Sequence, residues 1–244
     1  MPYANWFPER AAGGFPRRDG TIDFYTRVNA LLTPSSVVLD FGAGRGLVAD
    51  IPNEYPRRLA TLRGKVAEVI AADIDPIVLE NPISDRQLVL APDGRAPQLA
   101  DHSVDLIVAD NVFEHLTDPS TVVTELGRLL RPGGWLCART TNRHGFIATG
   151  ARLVPNRLHA AVVGLVQPGS VRREGDVFPT RYRLNTRRTI LAAFAPPVWR
   201  TIVLPNRPVP TYAADSSVLA VVQTAVGAIP GAAPMLHVFA RRDA

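Results

Sequence analysis

The stretch Val37-Val38-Leu39-Asp40-Phe41-Gly42-Ala43-Gly44-Arg45-Gly46 holds the residues of this chain best suited to chemistry. Its apolar run reads as a buried strand closing on an acid, and the glycine turn then opens onto a predicted helix. Glycines let the backbone approach a bound molecule closely, because they lack a side chain and accept positive φ. The spacing departs from the dinucleotide fingerprint G-x-G-x-x-G: the third glycine arrives one residue early, at Gly46, and Leu47 takes its place. Asp40 puts a carboxylate beside the turn, which repels a pyrophosphate and suits a cationic amino acid.

That combination resembles the first motif of the class I S-adenosylmethionine (SAM)-dependent methyltransferases, whose ligand carries an ammonium and a sulfonium. The resemblance covers residues 33–142 in motif detail and 185–241 in layout. It implies a four-part cofactor site. Backbone N–H groups of Gly42, Ala43 and Gly44, near a helix N-terminus, suit the ligand carboxylate. Asp40 holds the ammonium, directly or through water. Asp73, with Ile74 beside it, accepts the ribose hydroxyls; Asp75 is the alternative, and a solvated strand-end acid is the plainer one. Asp93-Gly94 matches the acid that faces the adenine amino group, or is an ordinary Asp-Gly turn.

Asp110-Asn111-Val112-Phe113-Glu114-His115 resembles a segment of small-molecule methyltransferases, including those of quinone biosynthesis, that lies under the sulfonium and its methyl. Methyl transfer from a sulfonium is an in-line displacement, so the protein mainly aligns the partners and removes an acceptor proton where needed. His115, Glu114 and His144 are the candidate bases. Loop support is the alternative for His115 and Glu114, and a solvated ring for either histidine.

These residues need strand ends to hold them. Thr21 is expected to cap a helix running to Leu32, and Asp50 to Gly64 to hold a helix and a loop. Apolar runs predict strands at Val66–Ala72, Gln87–Leu90, Val104–Ala109, Trp135–Ala138, Val198–Leu204 and Leu236–Ala240. Asp118-Pro119-Ser120 starts a helix that Arg131-Pro132-Gly133-Gly134 ends. Thr186 is expected to cap a later one running to about Phe194, Phe146 to Val166 has helical apolar spacing broken at Pro155, and Pro205 to Pro234 is a Pro-rich connection. Alternating strands and helices imply a parallel sheet covered on both faces. The expected fold is α/β: a Rossmann-like seven-stranded sheet, mostly parallel with an antiparallel last strand. Residues 1–32 form an arm and helix, and 33–244 the methyltransferase domain, with a helical and basic acceptor-side insertion at about 143–185.

Composition narrows the classes. The net charge of +5 invites a nucleic-acid partner, but Lys65 is the only lysine and the arginines are scattered, apart from a looser cluster from Arg172 to Arg188. No nucleic acid is expected, and no Asn/Asp-Pro-Pro-Tyr/Phe motif follows the fourth strand. One cysteine, Cys137, excludes a disulfide framework and a multi-cysteine metal site, and no metal is expected. No signal peptide is visible, and the longest apolar stretch, Val218 to Ile229, is too short to span a bilayer; a cytoplasmic protein is expected. The acceptor pocket is drawn from Tyr25, from His144 to Arg188 and from Tyr212. Asp176 to Arg183 suits a sugar or an anionic, phosphorylated substrate, or is a solvated loop packed by Phe178 and Tyr182. The reading is SAM-dependent methylation of a small molecule or glycoconjugate at oxygen. The alternatives are carbon or nitrogen methylation of a quinone-like or lipid acceptor, and a SAM-binding partner protein without turnover.

Overall fold

In the computed structural model, residues 7–153, 179–210 and 216–243 are described. Seven strands pair into one sheet: β1 (Val37–Phe41), β2 (Glu68–Asp73), β3 (Arg86–Val89), β4 (Val104–Asp110), β5 (Leu130–Thr141), β6 (Trp199–Asn206) and β7 (Met235–Arg242). Their order is β3-β2-β1-β4-β5-β7-β6. Pairings from β3 to β5 are parallel, and β7 slots between β5 and β6 antiparallel to both. This is the Rossmann-like arrangement expected, with the last strand reversed.

The period of two along the strands decides what covers each face. Val38, Leu106, Val108, Cys137 and Phe239 pack with Phe24, Tyr25 and Val28 of α1 (Gly20–Ala30) and Ala60 of α2 (Glu54–Ala60). Their neighbours Leu39, Ile107, Ala109, Leu136 and Ala138 point the other way. They pack with Val122, Leu126 and Leu129 of α3 (Pro119–Leu129) and Ile190 of α5 (Arg187–Ala193). Burial on both sides is why the strands read as nearly unbroken apolar runs. Two further helices, α4 (Phe146–Leu153) and α6 (Ser217–Ala228), lie beyond β5 and β6 in the chain.

Several expectations need correction. Asp19, not Thr21, caps α1, its carboxylate accepting the amides of Thr21 and Ile22. The glycine turn leads into a single 3₁₀ turn, Leu47–Asp50, rather than a helix. Ile51 precedes Pro52 and is extended, which stops the helix there. Strand β5 runs well past both ends of Trp135–Ala138, with a register shift opposite Val104 and Leu106. The Pro-rich connection contains α6, which occupies its proline-free interior and is capped by Ser216. The basic stretch up to Phe178, most of the run after α4, and Tyr212 lie outside the described residues. Among those described, no helix is long and apolar enough to cross a membrane.

Candidate active site

Strand periodicity carries Asp40, Asp73, Asp110 and Arg139 onto the α1 and α2 side of the sheet, at the carboxyl ends of β1, β2, β4 and β5. His237 of β7 stands opposite Arg139. Open α/β sheets bind ligands at this edge.

Asp110 is saturated. Arg139 grips it with two parallel bonds, Nε and Nη2 each 2.7 Å from a carboxylate oxygen. Tyr25 Oη adds a bond at 3.2 Å and Asn111 Nδ2 one at 2.8 Å. Arg139 also donates to Thr21 Oγ1 at 3.0 Å and lies over the Phe24 ring, so α1 is fastened to the sheet through this ion pair. These four donors fill the lone-pair positions of the Asp110 carboxylate, the group expected to bind the cofactor. Asn111 has a left-handed backbone (φ 58°) and bonds the Arg139 carbonyl at 2.7 Å.

Asp40 is the opposite case. Its carboxylate has no hydrogen-bond or ion-pair partner among the described residues. Burial, then the charges of Asp110 and Asp73, push its pKa up to about 7. His237 is pushed down to about 4, by burial and then by Arg139, and its buried Nε2 has no partner among the described residues.

Asp73 is 8% exposed, and each of its oxygens accepts one backbone N–H, from Gly44 and from Asp75, both at 2.9 Å. A carboxylate oxygen has two lone-pair positions, so each keeps capacity for a ligand hydroxyl. Ile74 beside it is 51% exposed and offers an apolar wall. The glycine turn does not form the anion cradle expected of it. The amides of Gly42 and Ala43 both donate to Ala72 O, at 2.7 and 3.2 Å, and that of Gly44 to Asp73. Gly42 is required for a different reason: its φ is +74°, and a Cβ there would stand 2.5 Å from Val112 Cγ2. Asp93 lies on an exposed turn and binds Arg95 through its side chain, which holds its pKa below the usual carboxylate range. A ligand amino group would compete with Arg95 for it. Gly94 closes that turn by donating to Ala91 O at 2.8 Å, with φ +84°.

On the other side of the loop after β4, Glu114 is 4% exposed and braces the structure. Its carboxylate accepts the hydroxyls of Thr140 (2.6 Å) and Thr141 (3.2 Å), and Asn185 Nδ2 bonds Thr140 Oγ1 at 2.6 Å. His115, the next residue, turns to the rim, with Nδ1 3.1 Å from Pro179 O. A carbonyl only accepts, so this bond places the proton on Nδ1 and the lone pair on Nε2. His144 is exposed, its amide donating to Asn142 Oδ1 at 3.2 Å. Cys137 is buried, which pushes its thiol up. No group of three or more His, Cys, Asp or Glu with metal-holding geometry occurs among the described residues.

Residues 39–138, the stretch that contributes Asp40 through Glu114, match the family model described as a methyltransferase domain. The chain carries a class I SAM-dependent methyltransferase domain. It is 33% identical over 116 residues to a ubiquinone biosynthesis O-methyltransferase of Paracidovorax citrulli, covering 44% of each chain. It is 34% identical over 111 residues to a probable S-adenosylmethionine-dependent methyltransferase of Mycolicibacterium smegmatis, covering 45% of this chain and 39% of the other. The chain thus spans less than half the length of these curated relatives. In fold it is similar to the geranyl diphosphate C-methyltransferase of Streptomyces coelicolor, with a TM-score of 0.54 at 14% identity over 96% of this chain and 87% of that one.

The methyltransferase domain's side chains fit SAM. Asp40 is a half-buried carboxylate with no partner among the described residues, and a cation beside it would return it to the ionised state. Asp73 retains two acceptor positions for a diol. Sequence reasoning missed Arg139, His237 and Asn185. For Arg139 a signal existed: it lies two residues beyond Cys137 on the same buried face, where a charge demands a partner.

Proposed function

We propose that this chain transfers a methyl group from SAM to a hydroxyl of a small-molecule or glycoconjugate acceptor. The bond that fixes the His115 tautomer carries the oxygen assignment, because it prepares Nε2 to take a hydroxyl proton at the carboxyl edge of β4. The O-methyltransferase names of the relatives from Paracidovorax citrulli and Thiobacillus denitrificans support the same choice.

When bound, SAM supplies a methyl already activated on a sulfonium. Asp40 would hold its ammonium and Asp73 its ribose hydroxyls, while Asp110 and Arg139 keep α1 in place over them. His115 accepts the acceptor's proton at Nε2, and the Pro179 carbonyl keeps the ring aligned through Nδ1–H. Glu114, buried and bonded to Thr140 and Thr141, holds the loop.

Transfer of labelled methyl to a panel of phenols, sugars and alcohols tests this reading. His115→Gln should lower turnover about 10²–10⁴-fold and leave SAM affinity, measured calorimetrically, unchanged. Wild-type turnover in that variant would remove His115 as the base.

A further inference from the structure

The segment that supplies Pro179 to His115 also brings arginines to the same rim. The amides of Arg181 and Tyr182 both donate to Glu114 O, at 2.6 and 3.1 Å, so this stretch is laid directly on the loop that carries His115. Tyr182 is 6% exposed in a left-handed conformation (φ 51°), and Leu184 and Asn185 are buried beyond it. A strained residue persists where its surroundings over-determine it. Here the buried side chains of Tyr182 and Leu184 point inward and leave Arg181 and Arg183 exposed on the outer side.

Arg183 reaches back to the Thr117 carbonyl, and Arg143 donates to the Tyr182 carbonyl at 3.4 Å and, through its amide, to Asn185 O at 2.8 Å. The loop that carries His115 is therefore met by the Arg183 side chain and by the backbone of Arg181, while the Arg143 side chain is held against the Tyr182 carbonyl between them. Neither Arg181 nor Arg183 is in an ion pair among the described residues, whereas Arg45, Arg63, Arg86, Arg95, Arg128, Arg131, Arg139 and Arg200 all are. The Arg183 side chain uses one of its five N–H groups on Thr117.

We infer that Arg181 and Arg183, with Arg143 beside them, bind a phosphate group of the acceptor and set its hydroxyl against His115. This deepens the proposed O-methyl transfer and rests on that reading of the site. A guanidinium fork matches phosphate oxygens bidentately. More than one fork at one loop favours a dianion over a single carboxylate. The backbone of the segment is already fixed by Glu114, so binding orders little more than side-chain ends.

The test is calorimetric titration of the whole chain with inorganic phosphate and pyrophosphate at low ionic strength, alongside titration with SAM. Arg181→Ala/Arg183→Ala removes two side chains and none of the backbone bonds to Glu114. Arg86→Ala/Arg200→Ala removes the same charge from the amino ends of β3 and β6, at the opposite edge of the sheet. The inference expects the first variant to bind both anions at least tenfold more weakly than wild type and SAM equally well, with the second variant unchanged for all three.

Equal weakening in both variants would reduce the effect to bulk charge and overturn the inference. So would absent anion binding in a wild type that binds SAM. Sedimentation with phosphatidylglycerol vesicles but not phosphatidylcholine ones, lost in the first variant while the free anions stay unbound, would also overturn it and assign the rim to a lipid surface. Failure of wild type to bind SAM would instead break the proposed function beneath it.

Discussion

Two polar clusters flank the loop after β4, one buried and one half-buried, and they are built on opposite plans. In one, Glu114, Thr140, Thr141 and Asn185 satisfy one another with side-chain bonds. In the other, Asp110 and Arg139 are matched, but Asp40 lacks a partner and so does His237 Nε2 among the described residues. A satisfied network rigidifies its surroundings, whereas an unmatched buried group lowers stability until something matches it. The first cluster is a brace. The second leaves a carboxylate unmatched, which the proposed function pairs with the cofactor's ammonium.

Breaking the brace should have the largest effect on folding. Glu114→Ala leaves the hydroxyls of Thr140 and Thr141 without their acceptor and should destabilise by about 3 kcal/mol, read from denaturant midpoints; Glu114→Gln should retain most of that stability. Gly42→Ala comes next. It sets a Cβ against Val112 at a positive φ and should cost about 2 kcal/mol, of which the Gly42→Ala/Val112→Ala pair recovers only the steric part. On the unmatched side the sign reverses. Asp40→Asn should raise the stability of the ligand-free protein at pH 8 by about 1–2 kcal/mol, while weakening SAM binding at least tenfold.

The smallest effect is the pH slope. Asp40 titrates high in the folded chain and at about 4 when unfolded. Over that window the folded state holds the proton, and its contribution makes stability fall as pH rises. His237 titrates near 4 folded and at about 6.5 unfolded. There the unfolded state binds the proton, and stability rises with pH. The two oppose each other, so wild type should be nearly flat between pH 4.5 and 6.5. Asp40→Asn should expose the rising slope of His237, at most about 1.4 kcal/mol per pH unit.

The unmatched cluster was the more legible one in the sequence. Asp40, Gly42 and Asp73 stand at strand ends, where an apolar run, an acid and a turn declare themselves within a few residues. Partners fixed by strand adjacency are silent in the sequence. Arg139 meets Asp110 only because β4 and β5 pair in register, and Glu114 meets Thr140 only because the loop after β4 folds back on the end of β5. The turn after Gly46 misled because Pro52, a few residues on, cuts the helix short. Helix α6 was hidden by the prolines on either side of Ser217–Ala228, although Ser216 stands at its cap. Asp93 was legible as a turn acid, but Arg95, two residues away, claims its carboxylate.

The most direct measurement is calorimetric titration with SAM near pH 7, in two buffers of different ionisation enthalpy, for wild type and Asp40→Asn. Asp40 as the ammonium's partner predicts tight wild-type binding with release of about half a proton, and at least tenfold weaker binding without release in the variant. Equal affinities and no proton release in either protein would contradict it, and would leave Asp40 a strand-end acid with no part in holding the cofactor.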